Sequence, residues 1–462
     1  MPEFLERRYN PQSRTILSVI SLVSYVLTKV AVTVYAGGLV FQQVFGIKEL
    51  WGIDFFWIAA IGLVVLTALY TIFGGMKSVL YTSVLQTPIL LLGSLIILVL
   101  GFKELGGWDE MMRVCGAVTV NDYGDTMTNL IRSNDDANFP WLGALIGSAI
   151  IGFWYWCTDQ FIVQRVLSGK NEMEARRGTI FGAYLKLLPV FLFLIPGMIA
   201  FALHQKYIGA GGEGFLPMLE NGTANADAAF PTLVAKLLPA GVKGLVVCGI
   251  LAALMSSLAS LFNSSAMLFT IDFYKRFRPQ TSEKKLVGIG QVATVVIVIL
   301  GILWIPIMRS VGDVLYTYLQ DVQSVLAPGI AAAFLLGICW KRTSAQGGMW
   351  GLISGMVIGL TRLGAKVYYS NAGEVADSTF KYLFYDMNWL FFCGWMFLFC
   401  IIVVIVVSLA TEAPTAEKIQ GLVFGTATKE QKAATRASWD HWDIIHTVII
   451  LAITGAFYWY FW

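Results

Sequence analysis

The sequence is short of charge. Asp, Glu, Lys and Arg make up 13% of its 462 residues, while 57% are hydrophobic. That charged share is about half what soluble chains carry. A water-exposed surface cannot be covered with so few charges. A soluble globular protein is therefore excluded, and the mean hydropathy of +0.70 points to a polytopic membrane protein. A formal net charge of +3 is too small for a nucleic-acid-binding field. Histidine is scarce: there are three, with no shared spacing. The six cysteines contain no CxxC pair, so neither a metal cluster nor a disulfide framework is implied. Cys157, Cys248, Cys339, Cys393 and Cys400 sit in or beside apolar runs and read as small buried hydrophobes. Cys115 falls in a long polar loop. HExxH, GxSxG and paired intramembrane carboxylates are all missing, which argues against a membrane-embedded enzyme. The opening "MPEFLERRYNPQSR" is polar and basic. No short apolar region with a cleavage site follows it, so it is not a signal peptide.

What is present is a series of apolar runs, and about 20 apolar residues suffice to span a bilayer. Such runs fall near 15–45, 53–74, 78–102, 141–162, 179–203, 242–271, 286–308, 311–338, 347–367, 388–410 and 444–461, about eleven spans in one membrane domain over 1–462. Lys and Arg mark alternate connections. Examples are Arg7, Arg8 and Arg14 before the first span, Lys77 after the second, and Lys275 and Arg276 after the sixth. These place the N-terminus of the chain on the cytoplasmic side. The opposite loops are longer and more acidic, and "FYWYFW" closes the chain outside as an interfacial aromatic belt. Asn221-Gly222-Thr223 matches a glycosylation sequon on that outer side.

Ionisable and polar groups inside spans are costly, about 2.5–3.5 kcal/mol each on insertion scales, so each asks for a reason. Lys186 in "FGAYLKLLPVF" lies well inside its span. It either snorkels to the interface or lines a polar cavity as a donor. Lys29 in "SYVLTKVAVTVY" leaves ion pairing, packing and ligand contact open. In "AALMSSLASLFNSS", Ala253, Ser256 and Ser257 stand at i, i+3 and i+4 on one helix face. Two hydroxyls and a freed carbonyl offer neutral oxygens. Carboxylate-rich sites suit divalent ions, so this set suits a monovalent cation. Small-residue helix packing uses the same residue types. "YTYLQDVQSVLAPG" adds Tyr316, Tyr318, Gln320, Asp321 and Gln323. The Gln320 amide can both donate to and accept from hydroxyls. "GFWYWCTDQFIVQRVLSGKN" holds Trp154, Tyr155 and Trp156, which either stack on a sugar ring or form an interfacial belt. Together, amide, lysine, aromatic cluster and hydroxyl face favour a neutral polyol over an anion.

Four stretches carry a resemblance: "PEFLERRYN", "WYWCTDQFIVQRVLSGKN", "LMSSLASLFNSSAMLFTIDFYKRF" and "AAFLLGICWKRTSAQGGMWGLI". In these the chain resembles the sodium/solute symporter family, in its sodium–glucose and sodium–galactose branch, over most of its length. The resemblance implies an all-α leucine-transporter-type fold of two inverted five-helix repeats around a mid-membrane site. Residues 15–102 would then be the remnant of the first repeat, 141–338 the second, and 347–462 additional helices. It implies sugar contacts at Tyr155 with Trp156 beside it, at Lys186, at Gln320 and at Tyr25. It implies a sodium site at Ala253, Ser256 and Ser257. Asp159 and Arg165 read as a structural ion pair holding the adjoining loop.

The chain departs from the family pattern at several places. Gly152 stands where members carry an asparagine or threonine that reaches the sugar. Ser83 replaces a frequent aspartate, and Ala259 replaces the threonine of two-sodium members. Family members also begin three spans earlier, roughly 100 residues at about 20 per span plus loops. The expectation is thus a sodium-coupled symporter of a neutral sugar, N-terminally short by those spans. It would need no cofactor beyond the coupling ion, and its partners would be sugar, sodium and the bilayer. Myo-inositol or another polyol is the near alternative, and a non-transporting membrane sugar sensor the distant one.

Overall fold

A computed structural model describes residues 1–462 except 220–221, 312–313, 373–375 and 462, and except the side chains of 70, 72–80, 82, 85 and 309–311. Asn221 of the sequon and the Lys77 side chain lie outside the described residues.

The protein is almost wholly helical. Among the described residues, nine helices are long and apolar enough to cross a bilayer. Two further helical stretches lie where the other two expected spans fall. Phe55–Leu69 is short but apolar. Ala345–Asn371 is long, and Arg362 and Lys366 lower its hydropathy. Helical residues run unbroken from Phe55 to Leu105, so the short connection expected at Lys77 is itself helical. The chain divides into two compact units.

The first unit comprises Met1–Val30, Ser133–Ile180 and Ser264–Val448. Its opening helix, Pro2–Arg8, is anchored rather than free: Arg8 Nε donates to Gly337 O at 2.8 Å and Tyr9 Oη to Ala333 O at 2.7 Å. Pro11–Ser24 follows, with Asn10 Oδ1 accepting from the Ser13 amide at 2.8 Å and Pro11 at the first helical position, where its missing N–H costs nothing. The core joins Leu5, Leu17, Ile20, Trp154, Phe334 and Leu390. Glycine permits close helix approach in this unit. Gly347, Gly351, Gly355 and Gly359 recur at i+4 on one ridge of Ala345–Asn371. A Cβ on Gly355 would stand 2.6 Å from Gly329 Cα, and one on Gly359 would stand 2.3 Å from Val325 O. Leu315–Cys339 therefore packs backbone to backbone against Gly355 and Gly359, while Gly347 and Gly351 admit Ser408 and Val404 of Trp389–Ala410, the small-residue device of membrane helices.

The second unit comprises Ala31–Arg132, Phe181–Asn263 and Ile449–Trp462. Its core joins Phe41, Ile97, Leu105, Ile199, Leu233 and Val246. Gly93 admits Val246, whose Cγ2 lies 2.4 Å from where a Cβ would be. Two cysteine expectations are corrected. Cys115 lies not in a polar loop but buried in the short helix Trp108–Gly116, and burial pushes its thiol up to about 11. Cys157, Cys248 and Cys339 are exposed at the protein surface, because apolar runs that face lipid need not face the core.

Candidate functional site

The aromatic cluster of the first unit sits on a break in helix geometry. Trp141–Phe153 passes into a π-helical turn, Trp154–Thr158, and Asp159 N donates back to Trp154 O at 3.0 Å. Single π turns inside α-helices recur at functional sites because they displace one residue from the regular ladder. Here the displaced turn carries Tyr155, whose ring meets Trp154 at 6.1 Å and Trp156 edge-on at 5.2 Å. Trp156 is 51% exposed and Tyr155 is half-buried, so the cluster offers one open ring and one supported ring.

Asp159 closes this turn and starts the next helix, Gln160–Leu167, by accepting from the Phe161 amide at 3.2 Å. The expected pair with Arg165 is corrected: the carboxylate pairs with Lys29, which reaches it from the first span. Arg165 instead lies over the Phe161 ring, 5.3 Å from its centroid. Lys29 proves to be an ion-pair residue, buried among the rings of Tyr25, Phe161 and Tyr155. Tyr25 is fully buried, and its hydroxyl donates to Asp159 Oδ1 at 3.2 Å. Gln320 is half-buried on Leu315–Cys339, where its Nε2 donates to the Tyr316 hydroxyl at 2.9 Å. That bond fixes the amide plane and leaves Oε1 to accept. Tyr25, Tyr155, Trp156 and Gln320 thus all belong to the first unit.

The remaining expected residues belong to the second unit. Ala253, Ser256 and Ser257 lie on Ala240–Met267. Ser256 is 6% exposed, and its hydroxyl lies 2.6 Å from that of Ser83. The serine that replaces the resembling branch's aspartate thus engages one of the two serines expected to bind sodium, as a neutral partner. Ala259 and Ser260 are fully buried beside them. Lys186 is exposed on Glu172–Pro189, three residues before Pro189, after which the chain turns π-helical over Val190–Leu194. A Cβ at Gly152 would meet nothing within 4 Å, so the small residue there leaves open space.

One polar cluster went unread in the sequence. Asp321, next to Gln320, pairs with Lys366 and lies 3.7 Å from Arg362. Arg362 and Lys366 stand at i and i+4 in an apolar span. Two charges on one face of such a span are a signal that a buried partner exists nearby.

Comparison with known proteins gives the family and the fold. The model of the sodium:solute symporter family matches residues 1–355. The sodium/mannose cotransporter of Bos taurus is 35% identical over 489 residues, covering 100% of this chain and 80% of its own length. The human sodium/myo-inositol cotransporter 2 is 36% identical over 438 residues, covering 92% of this chain and 64% of its own. The mouse sodium/glucose cotransporter 4 is 35% identical, with 92% and 63% covered. The chain thus spans less than two thirds of the length of the latter two. A Na+-coupled sialic acid symporter, solved in a substrate-bound outward-open state, superposes with a TM-score of 0.64 at 21% identity over 90% of this chain and 78% of its own. That likeness establishes the all-α, leucine-transporter-type fold. This multi-pass membrane protein belongs to the sodium:solute symporter family.

Proposed function

We propose that the chain is a sodium-coupled symporter of a neutral sugar of the glucose/galactose type, working by alternating access and catalysing no chemistry on its cargo. The observation that carries this reading is the neutral-oxygen face of Ser256 and Ser257, with Ser83 held against it, in a chain of this family. Sodium binds there through the Ala253 carbonyl and the two serine hydroxyls. Tyr155 and Trp156 stack on the sugar, Gln320 exchanges hydrogen bonds with its hydroxyls, and Lys186 donates to them. Tyr25 acts behind Tyr155, since its own hydroxyl is taken up by Asp159. Ser83 and Ala259 lack the carboxylate and hydroxyl of two-sodium relatives, so one sodium moves with each sugar. Relatives named for mannose, myo-inositol and glucose keep a polyol such as myo-inositol as the second reading.

The experiment is a titration of labelled-glucose binding against sodium. Binding by the purified protein should rise with sodium and stay flat when choline replaces it. Ser257→Ala removes one hydroxyl from the ion's shell, and a hydrogen-bond-scale contact to a charge is worth about 1.5–3 kcal/mol. Half-saturating sodium should therefore rise by roughly ten- to a hundredfold, with full binding regained at high sodium. Sodium dependence identical to the parent, with only the protein yield reduced, would make these serines packing residues.

A further inference from the structure

We propose that Lys29 and Asp159 form a latch that positions Tyr155, and that the first-span π turn uses this latch to tie the Tyr155 segment to the helix carrying Gln320. The proposal rests on the reading of Tyr155 and Gln320 as sugar contacts.

Three observations carry it. First, Lys29 is 9% and Asp159 4% exposed, so neither charge is solvated by water around it. Second, the surroundings are shaped for an ammonium. Lys29 Nζ lies over three ring faces, at 4.3 Å from the Phe161 centroid, 4.7 Å from Tyr25 and 5.5 Å from Tyr155. Ring faces carry negative quadrupole and attract a cation, so the pair contacts Tyr155 directly through its cationic half. Third, the pair is joined onward. Lys29 belongs to the π turn Tyr25–Val30, and Asp159 follows the π turn that carries Tyr155. Tyr318 Oη donates to Leu27 O within the first of these turns at 3.0 Å, and Trp304 Nε1 donates to Tyr318 Oη at 2.5 Å. Tyr318 is two residues from Gln320 on Leu315–Cys339.

The path therefore runs from Gln320's helix through Tyr318 and Leu27 to Lys29, and from Lys29 to Asp159 and the Tyr155 ring. A π turn offers displaced carbonyls that side chains of neighbouring helices can take up. Lys29 is on this account a positioning residue: it touches no sugar and sets where the stacking ring stands.

The test uses the protein in liposomes, with Cys248→Ala and Cys339→Ala so that Cys157 is the one exposed cysteine among the described residues. Cys157 lies in the Tyr155 π turn, so its rate of modification by a maleimide reports on that turn without reference to sugar. Lys29→Met keeps the stem and removes the charge. It should speed Cys157 modification at least fivefold and weaken glucose binding at least tenfold. Lys29→Arg should recover most of both. The double variant Lys29→Met, Asp159→Leu removes both buried charges and should regain folded yield, because a buried ion pair can be replaced by apolar groups without loss of stability. It should regain neither slow modification nor sugar affinity. The charge swap Lys29→Asp, Asp159→Lys should also fail, since a carboxylate would then face three ring faces. If the double variant restores both readouts, the pair is structural only and the proposal is overturned. Parental modification rates in folded Lys29→Met overturn it equally. Faster modification with unchanged glucose binding would keep the latch and refute Tyr155 as a sugar contact.

Discussion

Asp321→Asn should cost about 3–5 kcal/mol of stability, the range for removing one partner of a buried ion pair. Asp321 faces two cations of the neighbouring span. It pairs with Lys366, and Arg362 Nη2 lies 3.7 Å away. Arg362 is completely buried. Its other contacts hold it in place and do not neutralise it: Nη2 donates to Met387 O at 2.7 Å, Nη1 to Leu383 O at 3.3 Å, and the guanidinium lies 4.0 Å from the Phe392 ring centroid. With asparagine at 321, two positive charges remain inside the first unit without an anion. The expected loss is a large part of the 5–15 kcal/mol that typically separates folded from unfolded chains. Thermal unfolding of the detergent-solubilised protein checks this. A sharply lower midpoint, or failure to recover monodisperse protein, is the expected result. Arg362→Leu should be milder, because it leaves the Asp321–Lys366 pair intact. A midpoint for Asp321→Asn close to the parent's would show that water reaches the cluster and solvates its charges.

Lys186→Ala should weaken sugar binding by roughly ten- to a hundredfold while the protein still inserts and folds. A hydrogen bond from a charged donor contributes about 1.5–3 kcal/mol, and each 1.4 kcal/mol is tenfold in affinity. Folding should be spared because Lys186 is exposed on its helix rather than packed in a core. Lys186→Arg should not substitute fully, since a planar fork presents its donors in a different geometry from a compact ammonium. Equilibrium binding of labelled glucose at saturating sodium measures the effect. Parental affinity in Lys186→Ala would leave the lysine as a group that snorkels to the interface.

Much of this organisation was legible in the sequence, for one physical reason. Helices that face lipid must be apolar over about 20 residues, so span positions survive in composition alone. Ala345–Asn371 shows the edge of that rule: Arg362 and Lys366 dilute its hydropathy, yet the run from 347 to 367 was still readable. Local polar faces were legible too. Ala253, Ser256 and Ser257 follow from helical spacing, and the structure adds the Ser83 contact, which joins positions 173 apart. Pairings of that kind leave no local trace. Lys29 and Asp159 each stood out as intramembrane charges, but 130 residues separate them, and Arg165 was the nearer partner in sequence. The π turns at Tyr25–Val30 and Trp154–Thr158 were illegible for a different reason. One extra residue shifts the helix face by a position, but in spans that are apolar nearly all round such a shift leaves little trace, and no proline or glycine lies within either turn. The glycines at every fourth position were present in plain view, but their partners, Gly329 and Val325 for one half and Val404 and Ser408 for the other, follow only from the packing.

The most direct test of sodium-coupled polyol symport is the reversal potential of sugar-evoked current in proteoliposomes, measured across set sodium and glucose gradients. Sodium binding through the Ala253 carbonyl and the Ser256 and Ser257 hydroxyls, with no carboxylate at 83 and no hydroxyl at 259, predicts that the potential shifts with both gradients as one positive charge moving with each sugar. A sugar-evoked current whose reversal potential ignores the sodium gradient, or sugar flux with no current at all, would contradict it.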